Sequence, residues 1–292
     1  MGRTFRAFTP NPLPPRNPPL IIEVGLAQTQ QSALAALSRL QVASAMVPSP
    51  QWFLYGFVRK EAVVSSQIEG TQSTLEDVLS FELNRQVGDV ADVAQVCNYV
   101  DALNYARMEL ARPEGLPLST RLVCEIHKRM MKGVRGQEKQ PGKIRTSQNW
   151  IGGTRPGNAK FVPPPPDSVP ALLAGLDKWI HSKDPIHPLV RAGLAHVQFE
   201  TIHPFLDGNG RVGRLIVTLL TEHWNLLDGP FLYVSLGFKR HRQEYYRRLD
   251  EVRTGGDWEG WTDFFLRCVR ESADDGANAA QRMFRLVSDD RR

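Results

Sequence analysis

The densest chemistry in this chain lies in one stretch, Thr201 to Arg214, which sets a base, a carboxylate, turn-forming glycines and two arginines within about a dozen positions. Asp207, Gly208, Asn209 and Gly210 form a turn sequence whose members tolerate φ > 0. A helix starting near Arg211 or Val212 leaves free backbone N–H groups pointing into that turn, an anion site suited to phosphate. Arg211 and Arg214 lie three apart on the first helical turn, so they share a face and reach toward the same anion. Two guanidinium groups suit a polyphosphate better than a single phosphate. They oppose the helix dipole at a cost of up to about 1 kcal/mol each, which a bound anion offsets. Asp207 supplies a hard oxygen beside the phosphate position, the usual way of holding Mg²⁺. His203 ends the preceding helix, and an ordinary histidine pKa near ~6.5 suits it to take a proton from an attacking hydroxyl. A plain turn between two helices with solvated arginines is the competing reading, and each further residue required at a fixed spacing counts against it.

The elements that must hold this segment are mainly helical. Four prolines between Pro10 and Pro15 make residues 1–20 an extended arm, with folded structure expected from near Leu20. Beyond it, Leu34, Leu37, Leu40 and Val42, then Phe53, Leu54, Phe57, Val58 and Val64, recur mostly at spacings of three and four. Gly70 ends that second helix, and Ser73 with Glu76 forms a capping box for another, from Thr74 to about Asn84. Further helices are predicted at about 90–110, 119–131, 168–181, 188–200, 212–226, 240–252 and 258–270. Between Lys143 and Pro166, Trp150, Ile151, Phe161 and Val162 surround Gly152-Gly153 and read as a short hairpin closed off by prolines. The expectation is an all-α fold with one β-hairpin flap. Its parts are an arm (1–20), an N-terminal helical region (21–110), a catalytic core (111–270) and a C-terminal tail (271–292).

Composition excludes several other classes. With 41% apolar and 23% charged residues the chain reads as an ordinary soluble globular protein, and no apolar run approaches a bilayer span. The proline-broken N-terminus offers no apolar stretch for a secretory signal, so cytoplasmic residence is the default. Cys97, Cys124 and Cys268 are odd in number and far apart, which argues against a disulfide framework or a zinc site. The net charge of +5 is spread along the chain, so nucleic acid is an unlikely partner. Gly142-Lys143 lacks the upstream glycine of a Walker A loop, and there is no H-E-x-x-H.

The run from His203 through Phe205, Asp207, Gly208, Asn209, Gly210 and Arg211 to Arg214 resembles the signature H-x-F-x-[DE]-G-N-G-R-x-x-R of the Fic (filamentation induced by cAMP) domain family, with no position violated. The similarity extends from about Trp52 to Phe265. It implies a protein adenylyltransferase, which moves AMP from ATP to a hydroxyl side chain of a target protein. His203 is then the base and Asp207 the Mg²⁺ ligand. Asn209 and the loop amides hold the α-phosphate region, Arg211 the β-phosphate and Arg214 the γ-phosphate, with Phe205 a core anchor. Asn149, Trp150, Ile151 and Gly152 resemble the flap edge on which such enzymes dock the target as an added strand. Tyr245 and Tyr246 resemble an aromatic pair near the adenine, although aromatics at helical spacing also serve as core.

Ser65 to Gly70 resembles the inhibitory motif [ST]-x-x-x-E-[GN] of that family, placed N-terminal to the core in the arrangement called class II. Ser65 and Glu69 lie one turn apart on one face, and Glu69 sits at a helix C-terminus, where the dipole disfavours an anion and a cation is wanted. The resemblance implies that Arg214 is that cation, withheld from the γ-phosphate. Two rival readings stay open: a hydrolase or bifunctional enzyme that removes AMP with Glu69, and a DNA-binding regulator. The second calls for a winged helix after the core, and the stretch after Arg270 is too short for one, so either that domain is lacking or the sequence is a fragment. Self-modification and a homodimer are further expectations.

Overall fold

A computed structural model of the chain describes residues 5–47 and 49–289. The described residues form helices α1 (Val24–Ala45), α2 (Pro50–Ile68), α3 (Leu75–Glu82), α4 (Val90–Ala111), α5 (Thr120–Met130), α6 (Val169–Ile180), α7 (Pro188–Ile202), α8 (Asn209–His223), α9 (Ser235–Arg240), α10 (Arg242–Gly255) and α11 (Trp258–Asp289). The predicted all-α class holds. The hairpin is reduced to a single bridge between Ile151 and Phe161, because Gly152 and Gly153 both take positive φ and turn the chain out of register.

α7 is the centre of the molecule: every residue from Leu189 to Ile202 is buried. A helix covered on all sides needs internal partners for its polar groups. Arg191 accordingly donates to the carbonyls of Trp179 and Ile180 at 2.6 and 3.0 Å, and His196 Nε2 lies 2.9 Å from the Tyr245 hydroxyl. α8, buried from Val212 to Thr221, packs against α7, and the loop 203–208 joins them. The signature segment therefore lies in the connection between the two most buried helices of the fold.

Several boundaries differ from the sequence expectation for identifiable reasons. The capping box exists but one residue later: Thr74 Oγ1 accepts from the Asp77 N–H at 3.2 Å, and Asp77 Oδ2 accepts from the Thr74 N–H at 2.8 Å. Ser73 is instead buried. α9, only six residues long, was too short to show a period. The arm is docked well before Leu20, with the Phe8 N–H donating to the Val162 carbonyl at 2.9 Å and Gln198 Nε2 to the Asn11 carbonyl at 2.9 Å. The largest departure is α11, expected to stop at Arg270 and give way to a tail, which runs on to Asp289. Its buried face beyond that point is Ser272, Ala273, Ala277 and Ala280, small residues that hide the apolar period. Small side chains let α1 approach closely and in parallel: Thr29 bonds Asp263 at 2.9 Å, and Arg39 pairs with Asp274 at 2.6 Å.

Close approach recurs where α9 meets α11. A Cβ on Gly237 would stand 2.6 to 2.9 Å from the Cβ, Cα and carbonyl oxygen of Cys268. Backbone cannot swing aside as a side chain can, so Gly237→Ala is expected to destabilise the chain by about 1–3 kcal/mol. Thermal melting checks this, and an unchanged midpoint contradicts it.

Candidate active site

The loop geometry follows from its residues. α7 ends at His203, which takes the left-handed conformation (φ 50°) with its N–H still bonded to the Phe199 carbonyl at 2.9 Å, and Pro204 prevents continuation. Gly208 (φ 76°) then turns the chain into α8, which starts at Asn209, ahead of the predicted Arg211. No side chain caps α8, so the first N–H groups, from Asn209 to Arg211, have no intrahelical acceptor. Asp207 Oδ1 accepts from the Gly208 N–H at 2.6 Å. Phe205 is fully buried and stacks on the His127 ring at 3.8 Å, the anchor the family resemblance implied.

Both arginines are buried but engaged differently. Arg211 is 3% exposed, and its Nη atoms meet only neutral groups, Gln95 Oε1 at 3.1 Å and Met131 Sδ at 3.2 Å, while its Nε has no partner. Burial depresses its pKa, with Glu69 and Asp207 opposing. A buried cation whose hydrogen-bond partners are all neutral is poised for an anion. Arg214, 1% exposed, is held by the end of α2: Nε donates to Ser65 Oγ at 2.9 Å, and Nη2 donates to the Ser65 carbonyl at 2.9 Å and to Glu69 Oε1 at 2.7 Å. Glu69 caps α2 and Gly70 (φ 104°) ends it, which turns the carboxylate over Gly210, where a Cβ would collide with Oε1. Burial works to raise the Glu69 pKa, but Arg214 and then Arg211 outweigh it and hold the carboxyl below its ordinary range. The pair is therefore complete at neutral pH and dissolves only as pH falls through that lowered value.

His203 is a neutral imidazole in this setting. Burial lowers its pKa to about 3, Arg253 adds repulsion, the Glu200 carbonyl pulls upward, and Arg145 repels further. Its Nδ1 has no partner of good hydrogen-bond geometry. The base form thus persists far below the ordinary histidine range. In a Glu69→Gly variant, where the Glu69 carboxylate that favours the protonated ring is gone, the transfer rate is expected to stay within about twofold between pH ~7.5 and ~5.5. An acid limb near pH ~6.5 in the rate profile contradicts this.

Other predicted residues fare differently. Asn209 does not offer its side chain to a phosphate: Oδ1 accepts from the Phe205 N–H and Nδ2 donates to the Phe205 carbonyl, both at 2.8 Å, leaving its backbone N–H for that role. Tyr245 is 1% exposed, bonded to His196 and stacked on Phe238 at 4.6 Å, so it is core and has no face for a nucleotide. Tyr246 is half-buried beneath Arg242, 5.5 Å from its ring centre. In the flap, Trp150 is exposed, and Ile151 donates its N–H to the Phe161 carbonyl at 2.8 Å. Asn149 faces inward, its Nδ2 donating to the Phe205 carbonyl at 3.2 Å, so its side chain ties the flap to the loop.

Residues the sequence reading passed over complete the site. His127 Nδ1 accepts from the Gly142 N–H at 2.8 Å, so Nε2 carries the proton and donates to the Asp207 carbonyl at 3.0 Å. Arg253 donates to the Glu200 carbonyl at 3.2 Å and packs on Phe161, 4.0 Å from its ring centre. Arg145 bonds the His203 carbonyl at 2.8 Å. Each acts on backbone oxygen, which carries no pattern of side-chain types for a motif search to detect.

The described residues contain no cluster of three or more His, Cys, Asp or Glu that would hold a metal by itself. Asp207, a single carboxylate beside a phosphate-ready helix end, is the donor set that suits Mg²⁺ completed by phosphate oxygens and water.

A buried helix pair places a histidine at the end of one helix and an uncapped N-terminus with two arginines at the start of the other, an arrangement whose charge and free N–H groups suit an anion. The Fic/DOC family model matches residues 117–221, and the Fic/DOC family N-terminal model matches residues 27–108, together well over half of the chain. The chain belongs to the Fic/DOC family. It is 27% identical over 216 residues to "Protein adenylyltransferase Fic" of Nematostella vectensis, covering 72% of this chain and 46% of that protein. It is 29% identical over 212 residues to the protein of that name from Aedes aegypti, covering 71% and 39%. The chain thus spans less than half the length of these curated relatives. Among solved structures, a Fic family protein from Desulfovibrio desulfuricans G20 superposes with a TM-score of 0.75 at 25% identity, covering 89% of this chain and 76% of that one. No described helix is long and apolar enough to cross a membrane.

Proposed function

We propose that this chain is a protein adenylyltransferase that moves AMP from ATP to a hydroxyl side chain of a protein, and that Glu69 restrains it. The observation that carries the reading is Arg214: a buried guanidinium in the phosphate signature, whose Nη2 binds Glu69 at 2.7 Å. In the uninhibited state the uncapped N-terminus of α8, Arg211 and Arg214 bind the polyphosphate of ATP and stabilise the leaving pyrophosphate. Asp207 holds Mg²⁺, which supplies charge neutralisation at the phosphates. His203, kept neutral by burial and by Arg253, takes the proton of the target hydroxyl as that oxygen forms its bond to the α-phosphorus and the bond to pyrophosphate breaks. The free edge of the flap at Trp150 to Gly152 receives the target segment by strand addition. With Glu69 on Arg214 the γ-phosphate loses its partner. The curated relatives' names support the reaction class.

Incubation with ATP labelled at the α- or the γ-phosphate tests the reading. Label in protein from the α position alone is expected, and γ-label in the product overturns it. A second reading has one specific observation in its favour: the Glu69 side chain is 38% exposed at the site and stays ionised, so it is able to activate water against an AMP-modified protein.

A further inference from the structure

Arg145 is 1% exposed, and every partner it has is a carbonyl oxygen. Its Nε donates to the His203 carbonyl at 2.8 Å and its Nη2 to the Ile202 carbonyl at 3.4 Å, both at the end of α7. The same Nη2 donates to the Pro164 carbonyl at 2.6 Å, at the far foot of the flap, and Nη1 to the Ser147 carbonyl at 3.3 Å, at the near foot. The Arg145 backbone N–H adds a bond to the Pro204 carbonyl at 2.9 Å. Burying a guanidinium without a carboxylate is costly, and desolvation here pulls the Arg145 pKa down to about 10. Only a planar fork of five donors spans so many acceptors at once; the point-like ammonium of lysine does not. His203 is also a non-glycine residue at φ 50°, a conformation that persists only where its surroundings fix it.

We propose that Arg145 is a positioning residue that clamps both feet of the flap to the backbone of the catalytic base, so that the target-docking edge and the His203 ring move as one body. Two further contacts run the same way. Asn149 reaches from the flap to the Phe205 carbonyl, and Arg253 joins Phe161 to the Glu200 carbonyl. The clamp explains why the flap keeps its place with a single bridge pair of its own. The inference rests on the adenylyltransferase reading only for its kinetic assay.

The test uses the full chain carrying Glu69→Gly, with and without Arg145→Lys, which keeps the charge and removes the fork. Self-labelling from α-labelled ATP is expected to lose on the order of 100-fold in kcat, the scale of a small misplacement of a reacting group. KM for ATP is expected to stay within about twofold, since Arg145 touches no phosphate-binding group. Unchanged kcat, or a loss confined to KM, overturns the proposal. Native-state hydrogen exchange in urea on the unsubstituted protein gives a second measurement, independent of whether the lysine variant folds. The amides of Arg145, Ile151 and His203 are expected to merge into one opening reaction. Separate opening for Ile151 and His203 overturns the proposal. If the Glu69→Gly parent transfers no AMP, the function reading fails, while the exchange measurement still decides the clamp.

Discussion

Replacing Glu69 by glycine is expected to raise AMP transfer about 5- to 150-fold, the range spanned by a coupling of roughly 1–3 kcal/mol between two sites. Arg214 is held by three contacts from α2, two of them to Ser65, and the substitution removes only the carboxylate. The guanidinium then keeps its place and regains a donor for the γ-phosphate. Gly70 already supplies the helix stop, so the end of α2 does not depend on the Glu69 side chain. A Glu69→Gln variant separates charge from bulk: it retains a hydrogen-bonding group over Gly210 but no ion pair, and an intermediate rate is expected. Equal incorporation of α-labelled AMP by the Glu69→Gly variant and the unsubstituted chain refutes the restraint.

The second large effect is the loss of transfer in His203→Ala, expected at about 10²- to 10⁴-fold in the Glu69→Gly background, the usual contribution of a positioned general base. ATP affinity is expected to change little, because His203 sits at the end of α7 while the groups proposed to bind phosphate lie at the start of α8. Mass spectrometry after incubation with ATP and Mg²⁺ checks it: one AMP adduct in the parent and none in the alanine variant. An adduct of equal yield in both removes His203 from the reaction.

The two substitutions draw on the part of the molecule most legible in the sequence. His203, Asp207, Arg211 and Arg214 carry their meaning in side-chain type at fixed spacing, and the fold brings them together because they are nearly contiguous. Glu69 was legible for a different reason, an anion at a helix C-terminus that wants a cation. Arg145, Arg253 and His127 were not, since the contacts by which they reach the site end on backbone carbonyls that any residue supplies. Tyr245 misled because a buried aromatic and a ligand-facing one look alike until burial is known. The asparagine of the signature fits the pattern, yet its side chain closes the loop on Phe205. Among the elements, α11 beyond Arg270 went unread because alanine and serine bury a face without raising hydropathy.

That last helix has a consequence for how the chain comes to be folded. α1 lays Leu37 and Leu40 against the core and runs alongside α11, as the Thr29–Asp263 and Arg39–Asp274 contacts show. The apolar face of α1 therefore waits for α11, more than two hundred residues on in sequence, before it has a partner. Contacts so distant in sequence close late and slow folding. Until they close, the nascent chain carries an exposed apolar surface, the kind that makes folding intermediates prone to aggregate.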